Sequence, residues 1–113
     1  MVRPTNFEIE QRTAGSTPIL AITGELDMNT AELLAQAVDL QLEQGPSALT
    51  LDLAELAFMD SSGLRLLIEL YDRSRRESWE LMLVTPRDEN ATMVLRATGA
   101  DDALPFQSDG RSP

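Results

Sequence analysis

Residues 58–64 read Phe-Met-Asp-Ser-Ser-Gly-Leu, and this stretch divides a strand-like segment from a strongly patterned helical one. Asp60 and Ser61 are residue types that cap helices, because their side-chain oxygens accept hydrogen bonds from backbone N–H groups without intrahelical partners. The stretch therefore predicts a strand-to-helix junction with short polar side chains. The hydroxyl of Ser61 or Ser62 can serve there as a cap, a nucleophile or a target of modification.

The segment after the junction predicts a helix over residues 61–76. Its apolar stripe is formed by Leu64, Leu67, Ile68 and Tyr71. Leu66 and Leu70 are expected at the margin of this stripe, as the edge of the core or as part of a partner surface. Residues 79–84 then predict a strand.

The last third of the chain predicts one more helix and a short strand. Thr85 is a good helix cap and Pro86 suits the first helical position, so a third helix is expected from there to Gly99. Residues 103–106 predict an edge strand, because Pro105 lacks a backbone donor.

The segment before the junction predicts a hairpin and a crossover. Residues 7–12 and 18–23 read as strands around a turn at residues 14–16. Gly24 indicates a special backbone conformation or a close approach. A helix capped by Asn29 or Thr30 is expected up to residues 45–46, followed by a strand over 48–53, and this order favours parallel pairing.

The predicted fold is α/β, a single mixed sheet of about four or five strands with helices packed mainly on one face. Residues 1–106 are expected to form one domain, and residues 107–113, rich in Ser, Asp, Gly and Pro, a disordered tail.

Composition excludes several classes of function. The net charge of −10 argues against nucleic acid, whose phosphates require clustered cations. The chain lacks cysteine, which excludes disulfides and thiolate metal sites. Residues 1–6 lack the apolar core of a signal peptide, and no apolar run is long enough to span a membrane. We therefore expect a soluble cytoplasmic protein.

Catalysis by serine is disfavoured by two further absences. The chain has no histidine, and its nine basic residues are all arginine, which is not a proton acceptor at cellular pH. Ser61 and Ser62 therefore lack the usual activating base, and the elbow motif of serine hydrolases is not present. Asp27 and Asp60 could form a carboxylate site at strand ends. The composition disfavours a dedicated metal site, and no phosphate-binding loop is found.

The order of several motifs resembles that of the STAS domain. Its successive blocks are matched by Gly24-Glu25-Leu26-Asp27, Thr30, Leu51-Asp52-Leu53, residues 58–64 and Thr98-Gly99-Ala100-Asp101-Asp102. Within that family the sequence is most similar to bacterial anti-sigma factor antagonists, over roughly residues 9–106. Many such proteins continue into a further C-terminal helix, whereas this chain stops soon after Phe106.

The resemblance implies a partner switch and no enzyme activity. Ser61 is then the residue phosphorylated by an anti-sigma factor that is itself a serine kinase, and a metal-dependent serine phosphatase resets it. The unphosphorylated form would bind the anti-sigma factor and release a sigma factor. The implied partner-binding residues are Asp27, Thr30, Asp60, Ser62, Gly63 and Leu64.

No cofactor or metal of its own is implied for this chain, since ATP and magnesium would belong to the kinase. Two alternatives stay open at this point: a STAS subunit of a lipid-transport ABC complex, and a STAS module that senses a small molecule or nucleotide.

Overall fold

The elements follow the alternating and helical patterns of the sequence. A computed structural model describes residues 7–107. Its elements are β1 (Phe7–Ala14), β2 (Thr17–Leu26), α1 (Met28–Leu42), β3 (Ala48–Asp52), β4 (Leu56–Met59), α2 (Ser61–Glu77), β5 (Glu80–Val84), α3 (Glu89–Thr98), α4 (Ala100–Ala103) and β6 (Phe106–Gln107). No helix among these residues is long and apolar enough to cross a bilayer.

The strands form one six-stranded mixed sheet. The order is β1-β2-β3-β5-β6, and β4 also pairs with β2. β1 and β2 form the predicted antiparallel hairpin, whose turn contains Gly15 at φ 63°. All other pairings are parallel, as expected for strands that are connected through helices.

β2 is long enough to pair with two successive strands. β3 pairs with its first half at Ile19–Ala21, and β4 pairs with its second half at Gly24–Leu26. The register shifts between Gly24 and Glu25, and Gly24 has φ 99°, which confirms the special backbone expected there. β4 is additional to the five strands predicted from the sequence. It has only four residues and follows β3 after a three-residue turn, so it was not distinguished from the predicted strand over residues 48–53.

The core lies on one face of the sheet. Aligned positions of three neighbouring strands, Leu20, Leu51 and Leu83, are all buried on this face. Both α1 and α2 contribute to the same apolar cluster. The predicted mixed α/β sheet with helices mainly on one face is therefore confirmed.

The apolar stripe of α2 differs from the prediction. Leu66 and Leu70 are buried, whereas Ile68 is 43% exposed. The reason is that α1 lies beside α2: Ala35 of α1 lines the same groove as Leu66 and Leu70. The buried arc of α2 is thus turned toward its neighbouring helix, and the expected place of Leu66 and Leu70 at the margin was wrong.

Two helix starts also differ from the prediction. The cap of α1 is Asp27, not Asn29 or Thr30, and the cap of α3 is Asp88, not Thr85. Thr85 instead extends the pairing with β6, because its backbone N–H donates to Gln107 O at 2.9 Å. Thr85 is still held in the sheet by this hydrogen bond, so the chain turns into α3 only three residues later, at Asp88.

The C-terminal boundary is moved by one residue. The predicted strand over 103–106 is observed as α4 followed by β6, so Gln107 belongs to a strand and not to a tail. The rest of the predicted tail, residues 108–113, lies outside the described residues, as do residues 1–6 of the predicted domain.

Candidate functional site at the start of two helices

Asp60 caps α2 and leaves Ser61 without a capping role. Its Oδ1 accepts hydrogen bonds from the backbone N–H of Ser62 at 2.9 Å and of Gly63 at 3.2 Å. Ser61 is the first residue of the helix and is exposed. Within residues 7–107 its hydroxyl has no hydrogen-bond partner. The hydroxyl is therefore open to an external group.

Asp27 caps α1 in a reciprocal arrangement with Thr30. Its Oδ1 accepts from the backbone N–H of Asn29 at 2.9 Å and of Thr30 at 3.0 Å. The Thr30 hydroxyl accepts from the Asp27 N–H at 2.9 Å and donates to Glu25 O at 2.7 Å. These bonds fix the carboxylate of Asp27, which is half-buried, at the end of β2.

The two caps are joined through Leu26. The backbone N–H of Asp60 donates to Leu26 O at 3.2 Å, because β4 runs beside the end of β2. A Cβ placed on Gly63 would lie 2.8 Å from Leu26 Cγ and 2.9 Å from its carbonyl oxygen. Only glycine allows the first turn of α2 to approach so closely. We call residues 25–30 and 60–64 together the cap junction.

The structure brings all the site residues predicted from sequence into the cap junction. Asp27, Asp60 and Ser62 are partly exposed there. Thr30, Gly63 and Leu64 are buried. The partner-binding role of all six residues stays a prediction. Because Thr30, Gly63 and Leu64 are buried, they would act by holding the exposed residues in position and not by touching a partner.

The chemistry available at the junction is that of an acceptor hydroxyl. Two carboxylates cap the adjoining helices, and the sequence offers no histidine or lysine as a base. Among the described residues, no group of three or more carboxylates is placed to hold a metal ion. A general base to accept the hydroxyl proton, and a metal ion, would have to come from another protein.

Two exposed apolar side chains near the junction were not predicted from the sequence, whereas Arg65 was expected to face water. Met28, the first residue of α1, is 73% exposed, and Ile68 on α2 is also exposed. Arg65 is exposed one helical turn after Ser61. Positions 61, 65 and 68 fall on one face of a helix, so the spacing itself could have identified this surface.

A concavity of about 450 Å³ lies apart from the junction, at the β1 side of the sheet. Its lining includes Glu8, Glu10, Asp52 and Glu55, with Arg12 as the cation. Arg12 already pairs with Asp52 at 3.5 Å. This acidic lining is unsuited to the phosphates of a nucleotide, and so does not favour the nucleotide-sensing alternative.

The mixed sheet and the cap junction define a known class of domain. The family profile described as "STAS domain" matches residues 8–111. The chain belongs to the STAS-domain family.

Several relatives are named as anti-sigma factor antagonists. The chain is 26% identical over 103 residues to the "Anti-sigma-B factor antagonist" of Listeria monocytogenes, covering 91% of this chain and 89% of that one. The crystal structure of an anti-sigma factor antagonist from Mycobacterium paratuberculosis superposes with a TM-score of 0.78 at 26% identity, covering 94% of this chain and 89% of the other.

A third neighbour has been solved in two states of modification. SpoIIAA, an anti-sigma factor antagonist, superposes in its unphosphorylated form with a TM-score of 0.69 at 21% identity over 91% of this chain and 89% of that one. The phosphorylated form of the Bacillus SpoIIAA gives a TM-score of 0.63, also at 21% identity, over 91% and 92%. At this identity the likeness concerns the fold alone.

Proposed function

We propose that this chain is a cytoplasmic anti-sigma factor antagonist whose cap junction binds an anti-sigma factor kinase and is switched by phosphorylation of Ser61. The main observation behind this proposal is that the Ser61 hydroxyl is exposed at the first position of α2 and is not used for capping. The names of the relatives support the partner class.

The proposed reaction requires no base from this chain. Ser61 Oγ attacks the γ-phosphorus of ATP, the bond to the β-phosphate oxygen breaks, and ADP leaves. The hydroxyl proton passes to a base of the kinase. In the resetting step, on a phosphatase, water attacks the phosphorus, the P–Oγ bond breaks, Oγ takes up a proton, and inorganic phosphate is released.

The proposed switch is electrostatic. Phosphorylation adds about −1.5 to −2 charges at pH 7. Repulsion between one pair of unit charges about 5 Å apart is worth roughly 0.8 to 3 kcal/mol, depending on the dielectric. A modified Ser61 that faces an acidic group of the partner would thus lose between several-fold and about two hundred-fold in affinity. The buried residues Thr30 and Gly63 need not move for this to happen.

Mass spectrometry after incubation with the cognate anti-sigma factor and Mg-ATP tests the phosphoacceptor. We expect one phosphate on the wild-type chain and on Ser62→Ala, and none on Ser61→Ala. Ser62→Ala is the matched control, since it removes the neighbouring hydroxyl. Equal labelling of Ser61→Ala would overturn the assignment.

Calorimetric titration with the same partner tests the switch. Ser61→Asp is expected to weaken binding by at least several-fold, whereas Ser61→Asn, of the same size without the charge, is expected to bind much more tightly than Ser61→Asp. Equal affinities for the two variants would contradict switching by charge. Co-purification with a membrane ATPase and no kinase would instead support the ABC-complex alternative.

A further inference from the structure

Arg65 follows Ser61 by four residues on α2, and both residues are exposed. Residues at this spacing are neighbours on a helix surface, with Cβ atoms about 5–6 Å apart. Helical side chains point back toward the N-terminus, so a long side chain at position 65 extends toward position 61. A guanidinium group therefore lies within reach of anything attached to the Ser61 hydroxyl.

Arg65 is not committed elsewhere in the described part of the chain. It forms no ion pair or hydrogen bond among residues 7–107. By contrast, Arg73 on the same helix bonds Asp39 at 2.6 Å and Glu77 at 3.1 Å. Residues 13–64 contain no basic side chain at all. Arg65 is thus the cation of α2 that is nearest to Ser61.

Most backbone N–H groups at the start of α2 already have hydrogen-bond partners and so are not available to a phosphate on Ser61. Asp60 Oδ1 already accepts from Ser62 and Gly63, and the Leu64 N–H donates to Asp60 O at 3.1 Å. A phosphate on Ser61 would therefore lie next to the carboxylate of Asp60, while the N–H groups of Ser62, Gly63 and Leu64 are already used. A charged side-chain donor would offset the repulsion between the phosphate and this carboxylate.

We propose that Arg65 is the intramolecular counter-ion of phosphorylated Ser61. This inference rests on the proposed function for its biological meaning. The pair offsets the repulsion between the phosphate and the carboxylates of Asp60 and Asp27, and the first turn of α2 stays folded in the modified state. Phosphorylation then changes the charge pattern of the cap junction without unfolding it.

The second ionisation of the phosphate reports the pair directly. Phosphoserine is incorporated at position 61 during translation, and its second pKa is followed by ³¹P NMR. The ordinary value is about 6. Arg65 favours the dianion, so Arg65→Gln is expected to raise this pKa by about 0.3 units, as for an exposed i,i+4 pair. Arg65→Lys is expected to retain most of the effect.

Arg76→Gln is the matched control. It removes the same charge from the same helix, roughly 16 Å further along its axis, beyond the Debye length at physiological salt. We expect no change in the phosphate pKa for this variant. Arg65 is exposed, and circular dichroism checks that Arg65→Gln folds.

Identical phosphate pKa values for wild type and Arg65→Gln, or equal shifts for Arg65→Gln and Arg76→Gln, would overturn the proposal. The installed phosphoserine makes this result independent of any kinase. A pKa shift together with failure of the kinase to modify Ser61 would leave the ion pair standing and refute the proposed function alone. The opposite pair of results would refute the counter-ion alone.

Discussion

The backbone N–H of Asp60 donates to the carbonyl oxygen of Leu26 over 3.2 Å, and this bond joins the ends of two strands that lie far apart in sequence. Asp27 follows Leu26 and caps α1, while Asp60 itself caps α2. One contact between main chains thus sets two helix starts side by side. The surface proposed to bind a partner depends on this register.

Gly63→Ala tests the close packing under the junction. Helix propensity alone would make alanine more stable than glycine by about 1 kcal/mol. The contacts of 2.8 and 2.9 Å with Leu26 oppose this, and overpacking of this kind typically costs about 1–3 kcal/mol. We expect a net loss of stability in urea, measured by the fluorescence of Trp79, the single tryptophan, together with weaker partner binding.

Ser62→Ala provides the comparison for Gly63→Ala within the same turn. This change adds no atoms, and we expect it to leave the unfolding midpoint nearly unchanged. An unfolding midpoint for Gly63→Ala at or above that of the wild type would show that the contact with Leu26 does not restrict the first turn of α2.

Thr30→Val tests the buried hydroxyl that supports Asp27. Valine has the same shape but leaves the Asp27 N–H and Glu25 O without their partner, at a cost of about 1–3 kcal/mol. Thr30→Ser preserves both hydrogen bonds and is expected to lose less stability. Chemical denaturation of the three proteins measures the difference. A loss for Thr30→Ser as large as that for Thr30→Val would contradict the importance of the two hydrogen bonds, because only valine removes them.

Ile68→Ala and Leu67→Ala test which side of α2 faces the partner. Leu67 is fully buried, so its truncation is expected to cost about 2–5 kcal/mol in unfolding free energy. Ile68 is exposed, and its truncation should change stability by less than about 0.5 kcal/mol while weakening binding of the anti-sigma factor. Full-strength binding by Ile68→Ala would remove this residue from the proposed interface.

Glu77 provides a prediction about acid stability. The indole N–H of Trp79, which donates to its carboxylate at 3.2 Å, lowers the pKa of Glu77 below the ordinary value of 4.5, and Arg73 adds to the effect. A carboxyl whose pKa is lower in the folded state stabilises the fold above its unfolded pKa. That contribution is lost as the pH falls through the lowered value.

Glu77→Gln should therefore reduce the urea midpoint at pH 7 and make a smaller difference near pH 3. Circular dichroism is the suitable probe, because the substitution alters the surroundings of the indole. Glu69→Gln on the same helix controls for the change in net charge. A difference between wild type and Glu77→Gln that is the same at both pH values would exclude the ionised carboxylate as its source.

The sequence by itself determined the class of fold, because the information is local and repeated. Alternation in residues 48–52 and helical spacing after Asp60 specify elements regardless of what surrounds them. The position of Ser61 at a strand-to-helix junction is equally local. The order of the motifs was sufficient to indicate the family.

Tertiary structure alone decided which face of α2 is buried and how the two caps meet. Helical periodicity does not reveal on which flank a second helix will lie, so the inward turn of Leu66 and Leu70 required α1 to be in place. The bond from Asp60 to Leu26 joins residues 34 positions apart and leaves no local trace in the sequence. Its existence depends on β2 being long enough to pair with β3 and β4 in succession.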